Sequence, residues 1–411
     1  MITRWVPWIL VGIGTLATFV PFLTRRYSEW ESVYIPTAQR LVTGQPLYVD
    51  ADPYLYPPFV ALLALPWTIL PLGLGRLAWL AVSAASVWLV LRLGWDLAGG
   101  TSRDQSLGDW WAWTVGLLCG GLALQNSLAH QQTDVLLAAL QISALWLLLR
   151  QHNVTAGALF GLATAIKCTP LLWLPYLLWR GRIWAGSAFV GVALWASLLP
   201  DLLVSAPSGS WLQEYARRVA APRPMGVWGT DPIYNQSLAG TTLRWLAVDV
   251  ERQHSGGLQT HFRSQTLDTT QHSLVVLLLI GWLLLLTLAC VGRPGPVPRE
   301  ALPWEGAMVL LLALLLSPMS GPAHFGTQIL AGFLLARSGG LGQRIAIVVA
   351  AISLLSAKDV VRVTVYDYAL YYGHLTLGCL MLLVGCWWGR SRVATLSAIR
   401  PTEDEPLRHA A

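Results

Sequence analysis

The chain has 411 residues, of which 55% are hydrophobic and only 12% charged, with a mean hydropathy of +0.54. A soluble domain carries about 25% charged residues, so this composition excludes an ordinary soluble fold and predicts a polytopic membrane protein. The formal net charge of +6 does not call for nucleic acid, because many arginines fall in short loops between apolar runs and read as topology signals.

Many of the 22 tryptophans stand at the ends of apolar runs (Trp5, Trp8, Trp110, Trp111, Trp179, Trp387, Trp388), where their rings fit the headgroup level of a bilayer. The five cysteines form no CxxC pair, so neither a disulfide framework nor a zinc site is expected.

About 20 apolar residues cross a bilayer. In chain order the candidate spans are 5–24, 75–95, 109–128, 132–150, 154–167, 169–181, 183–204, 273–292, 303–317, 324–337, 344–357 and 371–389. The first has no small-residue cleavage site after it and reads as a retained span. Residues 58–72 are apolar but interrupted by Pro66 and Pro71, which predicts an interfacial helix. The expected fold class is an all-α integral membrane bundle over 1–390, with about twelve spans, interfacial helices on the outer face, and a polar cytoplasmic tail at 391–411.

With the N-terminus inside, the loops carrying Arg103, Arg150, Arg180, Arg182, Arg293, Arg337, Arg344 and Arg390 fall on the cytoplasmic side, as the positive-inside rule expects. Arg25, Arg26, Arg217 and Arg218 fall outside it. The outer face then collects the unusual polar residues: a first loop at 25–74, the turn His130–Asp134, Lys167, a long loop at 205–272 and the turn Ser317–His324. Chemistry is expected there.

The stretch Tyr27–Phe59 is acidic and aromatic between apolar segments. Ser28 is placed to cap a short amphipathic helix to about Thr43, closed by Gly44. At helical spacing Glu31 shares a face with Tyr34, while Glu29 lies on a different face. One of the two is expected to enter a common pocket. Asp50 and Asp52 read as turn residues.

Five patterns in order carry a resemblance to a known family. They are Tyr34-x-x-x-Ala38 with Leu41, Gly44, Tyr48, Tyr54-x-Tyr56-Pro57-Pro58 and Leu65-Pro66; then Gln132-Thr133-Asp134. They continue with Gly157-x-x-x-Gly161, Ala165, Lys167 and Pro170, then Asn235-Gln236-Ser237-Leu238 with Arg244, then Ser317-Pro318-x-Ser320-x-x-x-His324. Together they resemble glycosyltransferase family 87, whose GT-C-type members use polyprenyl-phosphate sugars and include polyprenol-phosphomannose-dependent mannosyltransferases. Gln131 stands where that family usually has glycine, and the tryptophan of its last turn is missing here.

The resemblance implies a hexosyltransferase, mannose first, moving its sugar from a lipid-linked donor to a glycolipid, glycan or protein acceptor. The site would face outward from a bacterial-type plasma membrane, surrounded by membrane lipids, with inversion and with neither cofactor nor metal. An acceptor hydroxyl is a poor nucleophile at neutral pH, so a carboxylate must take its proton. The family places an aspartate four residues before Tyr34, where this chain has Trp30. A one-residue shift brings Glu31 there; Glu29 is the alternative base and His324 a further catalytic candidate. Lys167, Arg217, Arg218 and Arg244 are candidates for the donor phosphate. Tyr34, Tyr56, Gln132, Asp134, Asn235, Gln236 and Ser237 are candidates for substrate contacts.

Structural roles compete: a snorkelling Lys167, an interfacial His324, a helix cap at Asn235–Ser237, and Asp134 complementing a helix N-terminus. So do other functions, namely a transporter or flippase of lipid-linked sugars and an inactive family member. A transporter predicts ionisable groups near span midpoints; here they gather at one face.

Overall fold

The computed structural model describes residues 9, 11–18, 28–49, 54–101, 106–207, 209–220, 232–253, 256–262, 269–357 and 361–399. Asp50 and Asp52 lie outside the described residues.

The described chain is mostly helical. A wide turn at Trp30–Tyr34 leads into α1 (Ile35–Val42), followed by α2 (Pro58–Thr68), α3 (Leu72–Leu97), α4 (Leu107–His130), α5 (Asp134–Leu149) and α6 (Asn153–Ile166). Next come α7 (Trp173–Trp179), α8 (Ile183–Leu203), α9 (Trp211–Tyr215) and α10 (Leu238–Ala247). Strands β1 (Val248–Arg252) and β2 (Leu258–Phe262) pair antiparallel, Val250 opposite Thr260. The chain closes with α11 (Thr269–Val291), α12 (Leu302–Leu316), α13 (Gln328–Ser338), α14 (Gly340–Ser353), α15 (Val363–Tyr371) and α16 (His374–Ile399).

Punctuation in the sequence sets these boundaries. Gly44 adopts φ +66° just past α1, a conformation glycine enters at no steric cost. Ser106 and Asp109 cap α4 reciprocally, side chain to backbone. Among the described residues, α3 and α8 are long and apolar enough to cross a membrane. The pair α15 and α16, bent by 55°, adds a third if counted as one span. The segment expected as a span at 169–181 is instead a 3-10 turn (Thr169–Leu172) and the seven-residue α7. The twelve expected spans are therefore not recovered by length and apolarity.

Helix α12 runs through the core, with nearly every side chain buried. At its start Glu305, fully buried, receives Arg180 at 2.6 Å, Arg390 at 3.1 Å and the Tyr176 hydroxyl at 3.0 Å. Such a cluster answers the cost of taking charge into an apolar interior. Its other end, about 16 Å away at the helical rise, carries Leu316 and Ser317 into the cavity described below.

Gly157 and Gly161 pack α6 onto α8. A Cβ at Gly157 would collide with the Ala185 carbonyl, and one at Gly161 with that of Phe189. Small residues four apart let two backbones approach closely, the usual glue where lipid removes the hydrophobic drive between helices. Gly161→Val is therefore expected to destabilise the protein by about 1–3 kcal/mol, measured as a lower melting temperature in lipid nanodiscs. Gly191→Val on α8, with nothing near its Cβ position, is expected to leave melting unchanged.

Candidate active site

Four chain segments bring the polar residues together at one end of the bundle. The first is the wide turn at Trp30–Tyr34. Ser28 caps it as expected, accepting the Glu31 N–H at 3.2 Å. The turn itself is a π-turn: the Ile35 N–H donates to the Trp30 carbonyl, five residues back. An i→i+5 turn aligns residues five apart rather than three or four. Glu29, not Glu31, therefore shares the face of Tyr34.

Helical spacing predicts Glu31 on the face of Tyr34; the structure places Glu29 there, and Glu29 lines the cavity with Tyr34. The Glu31 carboxylate is held by Arg76 through two contacts, 2.5 Å from Nε and 2.9 Å from Nη2, away from the cavity. Trp30, where the family pattern has aspartate, is buried and stacked on Trp79 with centroids 3.9 Å apart.

The second segment is the turn between α4 and α5. Gln131 closes α4 in the left-handed region at φ +55°, which accounts for glycine being usual at that position in the family pattern. The turn aims Gln132 Nε2 at Glu29, 3.1 and 3.3 Å from its two oxygens, and starts α5 at Asp134.

The third segment is the end of α6. Lys167 leaves the helix with φ −153°, and its ammonium lies 2.8 Å from Asp134 Oδ1. The fourth is the 3-10 turn Pro322–Thr327, where the Gly321 N–H donates to His324 Nδ1 at 3.0 Å. His324 Nε2 is then 2.8 Å from Lys167 Nζ and 3.6 Å from Asp134 Oδ2. Lys167 has three N–H groups and also lies 5.8 Å from the Tyr56 ring centroid.

Two cavities meet at this cluster. The first, ≈ 490 Å³, is walled largely by apolar and aromatic side chains, including Val33, Leu55, Leu172, Leu316 and Tyr215, with Lys167 and Tyr56 at its polar end. The second, ≈ 450 Å³, lies between the end of α4, the Pro322 turn and α15. Glu29, Gln132, Met319 and His324 line both.

Burial raises the pKa of Glu29 above the ordinary carboxylate value, against the opposing pull of the Gln132 hydrogen bond and of His130. His324 is pushed down to about 4 by burial, with Lys167 acting the same way and Asp134 the opposite, so its imidazole is neutral at pH 7. Tyr34, buried, and Tyr56, half-buried, are raised as well and stay protonated. Among the described residues no group of three or more His, Cys, Asp or Glu has the geometry to hold a metal ion.

The remaining sequence candidates stand elsewhere. Arg244 is fully buried and donates to the carbonyls of Tyr371 (3.1 Å), Pro232 (2.9 Å) and Asn235. Asn235 Nδ2 donates to the Pro318 carbonyl at 3.0 Å, and its Oδ1 accepts from the Ser320 and Ser237 N–H groups. Gln236 Nε2 donates to the carbonyls of Ile233 (2.8 Å) and Leu370 (2.7 Å), and Ser237 caps α10. These four residues form a joint behind the site and line neither cavity. Arg218 donates to the Tyr48 carbonyl at 3.1 Å, and Arg217 is exposed; neither lines either of these two cavities. Arg76, which no sequence pattern singled out, holds the Glu31 carboxylate.

The family model for Glycosyltransferase family 87 matches residues 54–318, more than half of the chain. Two relatives are polyprenol-phosphate-mannose-dependent alpha-(1-2)-phosphatidylinositol pentamannoside mannosyltransferases. The one from Mycobacterium tuberculosis is 31% identical over 38% of this chain and 37% of its own length. The one from Mycolicibacterium smegmatis is 28% identical over 49% of this chain and 48% of its own. The chain thus spans about half the length, or less, of the curated relatives it matches. ArnT from Cupriavidus metallidurans in the apo state aligns over 98% of this chain and 82% of that one, at 14% identity and a TM-score of 0.41, too low to define a shared fold. The protein is a membrane protein, and from the match over 54–318 the chain belongs to glycosyltransferase family 87.

Proposed function

We propose that the protein is a GT-C-type glycosyltransferase that moves a hexose, mannose first, from a polyprenyl-phosphate donor to an acceptor hydroxyl with inversion. The observation that carries this reading is the shared wall: one carboxylate, Glu29, borders both an apolar cavity ending in a lysine and a separate polar cavity. The relatives' dependence on polyprenol-phosphate mannose supports the donor class. The bundle is multi-pass and the site opens on the extracytoplasmic side, in keeping with the basic loops of the opposite face.

In this mechanism the lipid chain lies in the first cavity, and its phosphate meets the Lys167 ammonium and the His324 ring. The acceptor enters from the second. Its oxygen attacks the anomeric carbon as the bond to the phosphate oxygen breaks, and the polyprenyl phosphate leaves with the electron pair. Glu29 takes the hydroxyl proton. A buried carboxylate of raised pKa is a stronger base than an exposed one and remains ionised above that pKa. Arg217, Arg218 and Arg244 have no part in this step.

Purified protein given radiolabelled polyprenyl-phosphate mannose and a membrane-lipid extract tests the assignment. Glu29→Gln is expected to lower turnover by about a hundredfold or more. Glu31→Gln is expected to retain turnover but melt at a lower temperature, because the charge of the Glu31–Arg76 ion pair is lost. Full turnover in Glu29→Gln would remove Glu29 as the base. The pH profile supplies a second check. Rate should rise with pH through the Glu29 pKa, with an acid limb above the ordinary glutamate range of about 4.3. The Gln132 bond favours the charged form, so Gln132→Leu should move that limb to still higher pH; an unmoved limb would separate it from Glu29.

A further inference from the structure

Among the described residues, four side chains line both cavities, and Met319 is the apolar one beside Glu29, Gln132 and His324. It is half-buried, and its backbone is held on both sides. Asn235 Nδ2 donates to the Pro318 carbonyl at 3.0 Å, and Asn235 Oδ1 accepts the Ser320 N–H at 3.2 Å. The Ser317 hydroxyl accepts the Met319 N–H at 3.2 Å and donates to the Met319 carbonyl at 2.6 Å. The Ser320 carbonyl accepts the Gln236 N–H at 2.7 Å. Met319 fills the open position of Ser317-Pro318-x-Ser320, so the residues of that pattern build its frame.

A backbone so held gives residue 319 a fixed place, while its thioether chain has three rotatable bonds and adapts to what it meets. The Met319 methyl lies 3.9 Å from the point that a Cβ on Gly321 would occupy, and so does His324 Cε1. The side chain therefore reaches over the turn towards the imidazole edge, where the two cavities adjoin. Glu29, Gln132 and His324 all bond water readily; a thioether offers it only a weak acceptor. That difference matters for a lipid-linked sugar. Its anomeric carbon is activated, so water in the polar cavity competes with the acceptor, and excluding water suppresses that side reaction.

Resting on the glycosyltransferase reading, we propose that Met319 is a gate between the two cavities, which keeps water of the second from the donor in the first and swings aside for the acceptor. Without it, a water oxygen attacks the anomeric carbon as the bond to the phosphate oxygen breaks. The polyprenyl phosphate leaves with the electron pair, and Glu29 takes one water proton. The products are free hexose and polyprenyl phosphate, and the sugar is lost to the acceptor.

The test uses the full chain in phospholipid nanodiscs, with radiolabelled polyprenyl-phosphate mannose and a membrane-lipid extract as acceptor. Met319→Ala is expected to raise the ratio of free to transferred mannose by about tenfold or more, and Met319→Leu to hold it within about twofold. Met319→Gln keeps the length of the side chain but bonds water, so it should raise the ratio too, and it carries the test should Met319→Ala fail to fold. Tyr368→Ala, which lines neither cavity, should leave the ratio unchanged. In heavy-oxygen water the released polyprenyl phosphate should carry no label, because the bond breaks on its sugar side. Passage between the cavities is read without turnover by Val33→Cys, at a position that lines the first cavity and not the second. In a Cys168→Ser background, a charged methanethiosulfonate should label that thiol several-fold faster once Met319→Ala is added. An unchanged product ratio, unchanged labelling, or heavy oxygen in the phosphate would overturn the gate. Faster labelling in a protein that consumes no polyprenyl-phosphate mannose would uphold the gate and overturn the donor reading instead.

Discussion

Everything at the polar end of this bundle hangs on the contact between Lys167 and Asp134. Charges inside an apolar body are costly unless they find each other. Here the pair joins the start of one apolar helix to the end of the next at 2.8 Å, and His324 closes on the same ammonium from a third segment. The two chain reversals around it are consequently fixed: Gln132 two residues before Asp134, and the 3-10 turn after Lys167. A site built this way is rigid because opening it would strand a buried charge.

The same contact shapes the electrostatics. Asp134 pairs with Lys167 through Oδ1, and Glu29 has an amide as its hydrogen-bond partner. A buried carboxylate whose hydrogen bond comes from an amide rises in pKa, while one that meets an ammonium is kept charged. Two acids close in space thereby meet different surroundings. Glu31, neutralised by Arg76, is a third acid with a third fate.

Much of this was legible in the sequence. Apolar runs marked the helices to within a few residues, as with 75–95 against Leu72–Leu97 and 183–204 against Ile183–Leu203. Lys167, His324, Gln132 and Asp134 were singled out from short patterns and do converge. Three things were not legible. The expected span at 169–181 is a 3-10 turn and a seven-residue helix, because composition does not register a break at Cys168–Pro170. The pattern Asn235–Ser237 with Arg244 looked like ligand chemistry, whereas its donors are consumed by backbone carbonyls that only the folded chain supplies. And which of Glu29 and Glu31 lines the cavity turned on helix type and on Arg76, 45 residues from Glu31.

The π-turn at Trp30–Tyr34 bears on how such a site can drift between relatives. A helix that gains one residue need not shift everything after it; it can bulge, and the extra residue is absorbed in a single wide turn. An aspartate four positions before the tyrosine on a regular turn and a glutamate five positions before it on a wide one then present their carboxylates to the same side. In this chain the wide turn brings Glu29 to the cavity, while Trp30, four before Tyr34, packs its indole against Trp79.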